Sequence, residues 1–365
     1  MNTVYAAVNR YVQGPSATDS LADELTYLGI QGPMLILCGP TVRRLLHGRW
    51  KEVLGSHGIL HEVLVFGGEC TRASIRSTAD AASSMKAGVI MGAGGGKVLD
   101  TARAAAAQLG LPFVSCPTVA STDSPCSALS IIYSDQGVYE GFDSFGRNPD
   151  LVLVDTGVII GSPERYLIAG MGDALSTMFE ANACRKAGKP NLRGGLSTIA
   201  AARISESCYR VIMSDGREAL SSMRAGELSP AFDRIVEANT LLSGIGFESG
   251  GLAAAHGLYN AMTTTSSTHP YLHGEKVAFG VLVLLVLEDA SPDVFDEVLR
   301  FCLDVGLPVR LGDIGLDVDD HEVLRSIAEH AMAPGGLIHN EPLDLTVDIV
   351  LDAIIEADRR GVTGD

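Results

Sequence analysis

The glycine-rich stretch Met91-Gly92-Ala93-Gly94-Gly95-Gly96-Lys97-Val98-Leu99-Asp100 separates two segments of different character. The apolar run 89–91 before it is typical of a β-strand, and residues 101–109 after it are rich in alanine, the strongest helix former. Glycines at a strand-to-helix turn let the backbone approach a ligand, and the first N–H groups of the helix face an anion there. The stretch therefore predicts a phosphate-binding turn, with a tight turn that binds nothing as the alternative.

On both sides of this turn, strand-like and helix-like segments alternate as far as residue 160. Such alternation predicts a parallel, doubly wound sheet, whose ligands bind at the carboxyl ends of the strands. A hairpin is also predicted, because two short apolar runs flank Asp135-Gln136-Gly137. The predicted strands are 34–37, 62–66, 89–91, 113–116 and 151–155, the predicted helices are 41–50, 71–86 and 101–109, and the hairpin joins 130–133 to 137–139.

The pattern changes after Gly161-Ser162-Pro163-Glu164, where strands give way to long helical periodicities. Proline and glutamate just after a serine are typical of a helix start. We therefore predict an α/β domain over residues 1–161 and an all-helical domain over residues 162–365.

Composition limits the classes of partner. The chain has 365 residues, of which 46% are hydrophobic and 19% charged, which indicates globular domains rather than disorder. Its formal net charge of -17 argues against nucleic acid and anionic membranes, since binding to phosphate arrays needs clustered Lys and Arg. A small ligand fits better.

Cysteine spacing and the apolar runs indicate the environment of the protein. The seven cysteines stand in apolar surroundings without a Cys-x-x-Cys pair, which predicts buried free thiols in a reducing compartment. The N-terminus lacks the apolar core of a signal peptide, and the apolar run 277–287 is too short to span a bilayer. We expect a soluble, cytoplasmic protein.

Four residues of the helical half suggest a metal site. Asp173 stands in an apolar segment, where an unpaired carboxylate would be costly to bury. His256 follows a stretch of small residues that reads as one helix, and His269 and His273 are spaced i and i+4. One Asp and two His make a three-ligand set with an open position, as catalytic zinc requires. Each histidine taken alone is equally consistent with an ordinary surface or core imidazole.

Taken together, several segments make the chain resemble the glycerol dehydrogenases of the iron- and zinc-containing alcohol dehydrogenase superfamily. The resemblance extends over nearly the whole length. The segments that carry it most specifically are Gly94-Gly95-Gly96-Lys97-Val98-Leu99-Asp100-Thr101-Ala102, Pro117-Thr118-Val119-Ala120-Ser121-Thr122-Asp123-Ser124-Pro125-Cys126-Ser127-Ala128-Leu129-Ser130, Asn239-Thr240-Leu241-Leu242-Ser243-Gly244, residues 246–256, and His273-Gly274-Glu275-Lys276-Val277-Ala278-Phe279-Gly280.

The resemblance implies the dehydroquinate-synthase-like fold of the iron-containing alcohol dehydrogenases, with a nicotinamide cofactor and Zn²⁺ in a cleft between an α/β and an all-α domain. It implies that Asp173, His256 and His273 are the zinc ligands and catalytic residues, leaving His269 as a neighbour. It also implies an octamer. The cofactor contacts that it implies are Gly94, Gly95, Gly96, Lys97 and Asp100 at the pyrophosphate, and Thr118, Val119, Ser121, Ser127, Leu129 and Tyr133 around the remainder of the cofactor.

Asp123 matches the carboxylate that binds a substrate hydroxyl in this family. Zinc makes an alcohol easier to deprotonate near neutral pH, and Asp123 then orients a vicinal diol through its second hydroxyl. The alternative is that Asp123 caps the turn before Pro125.

Two positions depart from the family pattern. Tyr259 stands where many relatives carry a further histidine, which puts a proton relay at that position in doubt. Gly39 stands at the end of the first clear strand, where the family usually has an Asp that selects NAD. Gly39 offers the 2′-phosphate of NADP no repulsion, and Arg43 and Arg44 one turn further on favour it. The alternative is that Gly39-Pro40 is simply a turn and that another acidic group selects NAD.

The resulting expectation is a zinc-dependent dehydrogenase that transfers a hydride between glycerol, or a similar small polyol, and NAD or NADP, giving dihydroxyacetone or the matching hydroxyketone. Two alternatives act on phosphorylated substrates, namely a dehydroquinate-synthase-like cyclase and a glycerol-1-phosphate dehydrogenase. Both would need several Lys and Arg near the metal, where only Lys276 stands. A third alternative is a non-catalytic binding protein that keeps the fold.

Overall fold

The computed structural model describes residues 1–362 and divides the chain into two compact units. The α/β unit comprises Ala7–Pro163 and the short segment Ala225–Leu228. The helical unit comprises Met1–Ala6, Glu164–Arg224 and the chain from Ser229 onward.

The α/β unit contains a six-stranded parallel sheet and a separate two-stranded hairpin. The sequence predicts the parallel sheet, five of its six strands and the hairpin. The strands are β1 (Tyr11–Gly14), β2 (Met34–Cys38), β3 (His61–Val65), β4 (Val89–Gly94), β5 (Phe113–Pro117), β6 (Leu129–Tyr133), β7 (Tyr139–Ser144) and β8 (Leu151–Asp155). The order in the sheet is β1-β8-β5-β4-β2-β3, and β6 pairs antiparallel with β7.

Helices cover both faces of this sheet, which explains why its central strands are continuous apolar runs rather than alternating ones. In β2, Met34 and Ile36 pack into one core with Trp50, while Leu35 and Leu37 pack into a second core on the opposite face. The helices of this unit are α1 (Leu21–Tyr27), α2 (Pro40–Ser56), α3 (Arg72–Ser84), α4 (Gly96–Leu109) and α5 (Thr156–Ile159).

The edge strand β1 was not predicted from the sequence. It pairs parallel with β8, with Tyr11 opposite Val152 and Gly14 opposite Asp155. All four of its residues are only half-buried, and one of them is Gln13. A short edge strand of this kind lacks the apolar run by which the central strands are recognised.

The helical unit is built from nine α-helices of the described chain. The helix His273–Leu287, which contains the apolar run 277–287, packs against the helix Glu164–Ala187. Within residues 1–362, no helix combines the length and hydropathy needed to cross a membrane. The helices are α6 (Glu164–Ala187), α7 (Ile199–Ala225), α8 (Pro230–Glu237), α9 (Ser243–Gly250), α10 (Ala254–Met262), α11 (His273–Leu287), α12 (Pro292–Val305), α13 (His321–Ala331) and α14 (Val347–Val362).

The first residues of the chain belong to the helical unit. Thr3 forms an isolated parallel bridge with Leu196, and the N–H of Val4 donates to the carbonyl oxygen of Leu196 at 3.0 Å. These contacts explain why Met1–Ala6 groups with the helices. The domain boundary between residues 161 and 162 stays a prediction. In the structure, the helical unit contains Met1–Ala6 and continues from Glu164.

All seven cysteines are buried and free, as the sequence predicts. Burial raises the pKa of several of these thiols, for example that of Cys116 to about 12. A thiol with so high a pKa is a poor nucleophile, so these side chains act as small core residues.

Candidate metal and dinucleotide sites

Asp173 and His273 meet because two helices approach each other at glycines. A Cβ atom on Gly172 would lie 2.4 Å from the carbonyl oxygen of Gly274, and one on Gly274 would lie 1.8 Å from that of Ala169. Neither position accepts a side chain, because the start of α11 lies against residues 169–173 of α6. His273 is the first residue of α11, and its Nε2 atom lies 2.9 Å from Oδ1 of Asp173.

His256 reaches the same carboxylate from the first turn of α10. The sequence pattern suggests one helix ending at His256, and the structure corrects this, since α9 ends at Gly250 and α10 begins at Ala254. Gly251 makes the break, with φ of +115° and with Sγ of Cys184 only 2.6 Å from where a Cβ would stand. Nε2 of His256 lies 3.4 Å from Oδ1 of Asp173.

The three predicted ligands therefore form one cluster. Their ligand atoms lie within 4.8 Å of one another, with Asp173 and His256 buried and His273 half-buried. Two imidazoles and a carboxylate match the donors of catalytic zinc sites, and the same set also suits Fe²⁺. The chemistry of the donors thus fits a divalent metal, and the more exposed His273 side leaves access for a small molecule.

The charges within the cluster favour protons or a metal between the three side chains. Burial alone would raise the pKa of Asp173, but the charge of His273 and hydrogen bonds from both imidazoles hold it well below its ordinary value. Burial alone would lower the pKa of His256, but Glu180 and Asp173 raise it well above its ordinary value. A bound metal would take the place of those protons.

Glu180 and Glu341 are two buried carboxylates beside the cluster that the sequence analysis missed. Oε2 of Glu180 lies 2.6 Å from Nδ1 of His256, and its Oε1 accepts from the backbone N–H groups of Ala253 and His256, both at 2.9 Å. Oε1 of Glu341 accepts from the N–H of Ala254 at 2.9 Å. A signal for Glu180 was present, because it stands two helical turns after Asp173 in an apolar segment.

The other candidates near the cluster take different places. The ring of Tyr259 packs edge-on against that of His273, with centroids 4.1 Å apart. Nζ of Lys276 lies 5.2 Å from the Tyr259 ring centroid, and burial lowers the pKa of Lys276 to about 8. His269 lies outside the ligand cluster, and its Nε2 contacts the carbonyl oxygen of Thr263 at 2.9 Å.

The predicted phosphate-binding turn lies at the carboxyl edge of the parallel sheet. β4 ends at Gly94 and α4 begins at Gly96, so Gly95 alone connects the strand to the helix. A Cβ on Gly92 would lie 2.9 Å from Cβ of Ala102, and one on Gly94 would lie 2.9 Å from Cβ of Val98. The missing side chains let the helix pack onto its own strand, which leaves its N-terminus at the sheet edge.

The segment after β5 runs alongside this turn. Pro117 is opposite Gly94 in the sheet, and the N–H of Thr118 donates to the carbonyl oxygen of Gly94 at 3.1 Å. A Cβ on Gly95 would lie 3.5 Å from Cγ2 of Val119. Thr118 and Val119 thus adjoin the glycines, and Ser121 follows two residues later in the same loop.

The remaining predicted cofactor residues lie on the segment that leads into the hairpin. Ser127 is buried, and its hydroxyl donates to the carbonyl oxygen of Ser124 at 3.2 Å. Leu129 begins β6, and Tyr133 ends it, with its ring edge-on to that of Tyr139.

Asp100 and Lys97 both make contacts within the protein. Oδ1 of Asp100 accepts from Nη1 of Arg103 at 2.6 Å and from the hydroxyl of Ser124 at 2.7 Å, while its Oδ2 accepts from the N–H of Ile131 at 3.0 Å. Asp100 therefore anchors the loop and hairpin to α4. Lys97 is exposed, and its ammonium group pairs with Glu69.

Asp123 is a buried carboxylate just before a short 3-10 helix, Ser124–Cys126. Its side chain makes no capping hydrogen bond to that helix. The capping role considered from the sequence is therefore not what the structure shows.

A basic groove lies where β2 ends and α2 begins. Cys38, the last residue of β2, is opposite Ala93 of β4, so Gly39 follows at the same sheet edge as Gly94. No Asp or Glu occurs between Glu24 and Glu52. The basic groove has a volume of about 400 Å³ and is lined by Pro40, Arg43, Arg44, His47, Gly48 and Val65.

Sequence and structure comparisons agree on one family. Residues 8–156 match the family described as iron-containing alcohol dehydrogenase. The chain is 44% identical to a glycerol dehydrogenase of Thermotoga maritima over 96% of both chains. It is 39% identical to a glycolaldehyde reductase of Halobacterium salinarum over 99% of this chain and 98% of that one.

A solved structure shows the same fold over the whole length. The crystal structure of a probable glycerol dehydrogenase from Sinorhizobium meliloti superposes with a TM-score of 0.92 at 39% identity, and the match covers 99% of each chain. The chain is therefore an oxidoreductase that belongs to the glycerol dehydrogenase family, within the iron-containing alcohol dehydrogenases.

Proposed function

We propose that this protein is a zinc-dependent dehydrogenase of glycerol or a similar small vicinal diol. In the reaction, a hydride passes from the carbinol carbon to the nicotinamide ring, and the hydroxyl proton is released. The product is dihydroxyacetone or the matching hydroxyketone. The observation that carries the proposal is the cluster of three donors, Asp173, His256 and His273, in the helical unit.

We assign the metal to these three residues. A divalent ion held there supplies Lewis acidity, which lowers the pKa of an alcohol hydroxyl. The chain contributes one negative charge, from Asp173, and two neutral imidazoles when the site is loaded. The half-buried position of His273 leaves one side of the site open to the alcohol.

The substrate class follows from Asp123. Its buried carboxylate is suited to accept a hydrogen bond from a second hydroxyl, which orients a vicinal diol better than a simple alcohol. The names of the relatives support this class, because glycerol and the diol formed by reducing glycolaldehyde both carry hydroxyls on adjacent carbons.

We assign the cofactor to the glycine turn and the loop after β5. The carboxylate that would select NAD is absent at Gly39, and the basic groove beside it offers Arg43 and Arg44 to a phosphate. Neither guanidinium has a carboxylate within ion-pair distance among residues 1–362. The protein should therefore use both NAD and NADP.

The assembly we propose is a homo-octamer, which rests on the family resemblance. Light scattering coupled to gel filtration tests it, and a mass of one or two chains in solution would contradict it.

The deciding experiment is a spectrophotometric screen of zinc-loaded protein with both cofactors. The panel comprises glycerol, propane-1,2-diol, ethane-1,2-diol, propan-1-ol and glycerol 1-phosphate. We expect turnover with the free diols and little with propan-1-ol. Turnover confined to the phosphate ester would support the alternative of a glycerol-1-phosphate dehydrogenase. Iron-loaded protein run in parallel tests the choice of metal.

A further inference from the structure

We propose that Glu180 fixes the tautomer of His256 and so makes Nε2 the ring nitrogen that binds the metal. This role rests on the metal site proposed above, and it makes Glu180 a positioning residue rather than a ligand.

The argument begins with the two nitrogens of His256. A neutral imidazole carries one proton, and only the other nitrogen has a lone pair for a metal. Nε2 lies in the ligand cluster, 3.4 Å from Oδ1 of Asp173, while Nδ1 lies 2.6 Å from Oε2 of Glu180. Because an ionised carboxylate only accepts hydrogen bonds, Glu180 requires the proton on Nδ1 and leaves Nε2 free.

Glu180 is itself held in place. It is fully buried, and its second oxygen accepts from the backbone N–H groups of Ala253 and His256. Both oxygens are thus engaged, so the carboxylate cannot turn toward the metal. These contacts also hold the backbone at the start of α10, which fixes the position of the His256 imidazole.

The Glu180→Gln variant separates tautomer control from simple packing. If the amide oxygen keeps the two backbone N–H groups, the amide NH₂ faces Nδ1 and favours the proton on Nε2, where it blocks the metal. If the glutamine amide is rotated by 180°, its NH₂ group faces the backbone N–H groups of Ala253 and His256, and donor faces donor. Either arrangement harms the site, although glutamine has nearly the shape of glutamate.

Glu341 provides a matched control on the same helix start. Its Oε1 accepts from the N–H of Ala254, and it makes no hydrogen bond to His256 in the described structure. Glu341→Gln keeps an acceptor for that N–H and leaves the imidazole unchanged. Glu180→Asp is the conservative variant, because it retains a carboxylate acceptor.

The test measures zinc affinity of metal-free protein by competition with a chromophoric chelator. Nitrogen NMR of histidine-labelled, metal-free protein, recorded at a pH where the His256 imidazole is neutral, identifies which ring nitrogen of His256 carries the proton, and thermal unfolding confirms that each variant is folded. We expect wild type and Glu341→Gln to bind zinc alike, with the proton on Nδ1. Glu180→Gln should bind about 10–100-fold more weakly and carry the proton on Nε2, and Glu180→Asp should recover part of the affinity.

The outcomes separate the two proposals. A wild-type protein that binds no zinc would overturn the metal site and this role of Glu180 with it. A wild-type protein that binds zinc, with Glu180→Gln equal to Glu341→Gln, would overturn the role of Glu180 alone.

Discussion

Asp173 and Glu180 lie two turns apart on α6 and bracket one imidazole, with a carboxylate at each ring nitrogen of His256. A single helix thus supplies both a candidate ligand and the group that orients another. Because the spacing is set by helix geometry, the arrangement depends on α6 remaining straight and buried. Substitutions that bend or expose α6 should therefore weaken metal binding more than substitutions in the loops of the helical unit do.

Removal of the metal from Asp173, His256 and His273 should abolish turnover, because no Lewis acid then remains to bind the alcohol oxygen. We expect exhaustively chelated protein to be inactive and zinc to restore it. Elemental analysis must accompany the assay. Full activity in protein shown to be free of metal would refute the metal-dependent mechanism.

Asp123→Ala should impair diol oxidation much more than cofactor binding. The variant loses one charge-assisted hydrogen bond, worth about 1.5–3 kcal/mol, or about one to two decades in kcat/KM. Propan-1-ol, which lacks the second hydroxyl, provides the control substrate and should be almost unaffected. An unchanged preference for diols would assign Asp123 to structure alone.

The central strands could be predicted because burial on both faces leaves an uninterrupted apolar run, as in β2 and β4. The edge strand β1 leaves no such mark. For the cluster, the sequence supplied the residue types but not their meeting point, which depends on Gly172 and Gly274 allowing two helices into contact.

The position of Glu180 beside His256 could not be predicted from the sequence either. A glutamate in a helix is usually solvent-exposed, so the spacing of Glu180 from Asp173 did not by itself place it beside His256. Its burial and its three acceptor contacts appear only once α10 is seen to begin after Gly251. The roles of the individual site residues remain predictions that the variants above test.

Glu341 should make stability fall as pH rises. Burial raises its pKa to about 8 from an ordinary 4.5, so between these values the folded state binds more protons than the unfolded state. The free energy of unfolding is therefore highest, as far as Glu341 is concerned, below about pH 4.5, and it declines toward pH 8 by a few kcal/mol at most. Glu341→Gln stays neutral and should lose this slope. Urea unfolding of metal-free protein at pH 6 and pH 8 measures the difference, and equal slopes in both proteins would contradict it.

Gly39→Asp should suppress the NADP reaction selectively. Gly39 has φ of -71°, and a Cβ there meets nothing within 4 Å, so an aspartate fits without strain. Because Gly39 is the N-cap of α2, the new carboxylate should also stabilise the helix by a few tenths of a kcal/mol, which guards against a folding artefact.

The carboxylate would repel a 2′-phosphate and accept hydrogen bonds from the ribose of NAD. We expect the ratio of kcat/KM for NADP to that for NAD to fall by about tenfold or more, equivalent to about 1.4 kcal/mol. Arg43→Ala and Arg44→Ala should lower the same ratio by weakening NADP alone. Arg49→Ala is the matched control, because Arg49 lies on the same helix but pairs with Asp19 and Glu52. Strict NAD dependence of the unmodified protein, or equal losses in all three arginine variants, would show that the basic groove does not bind the cofactor phosphate.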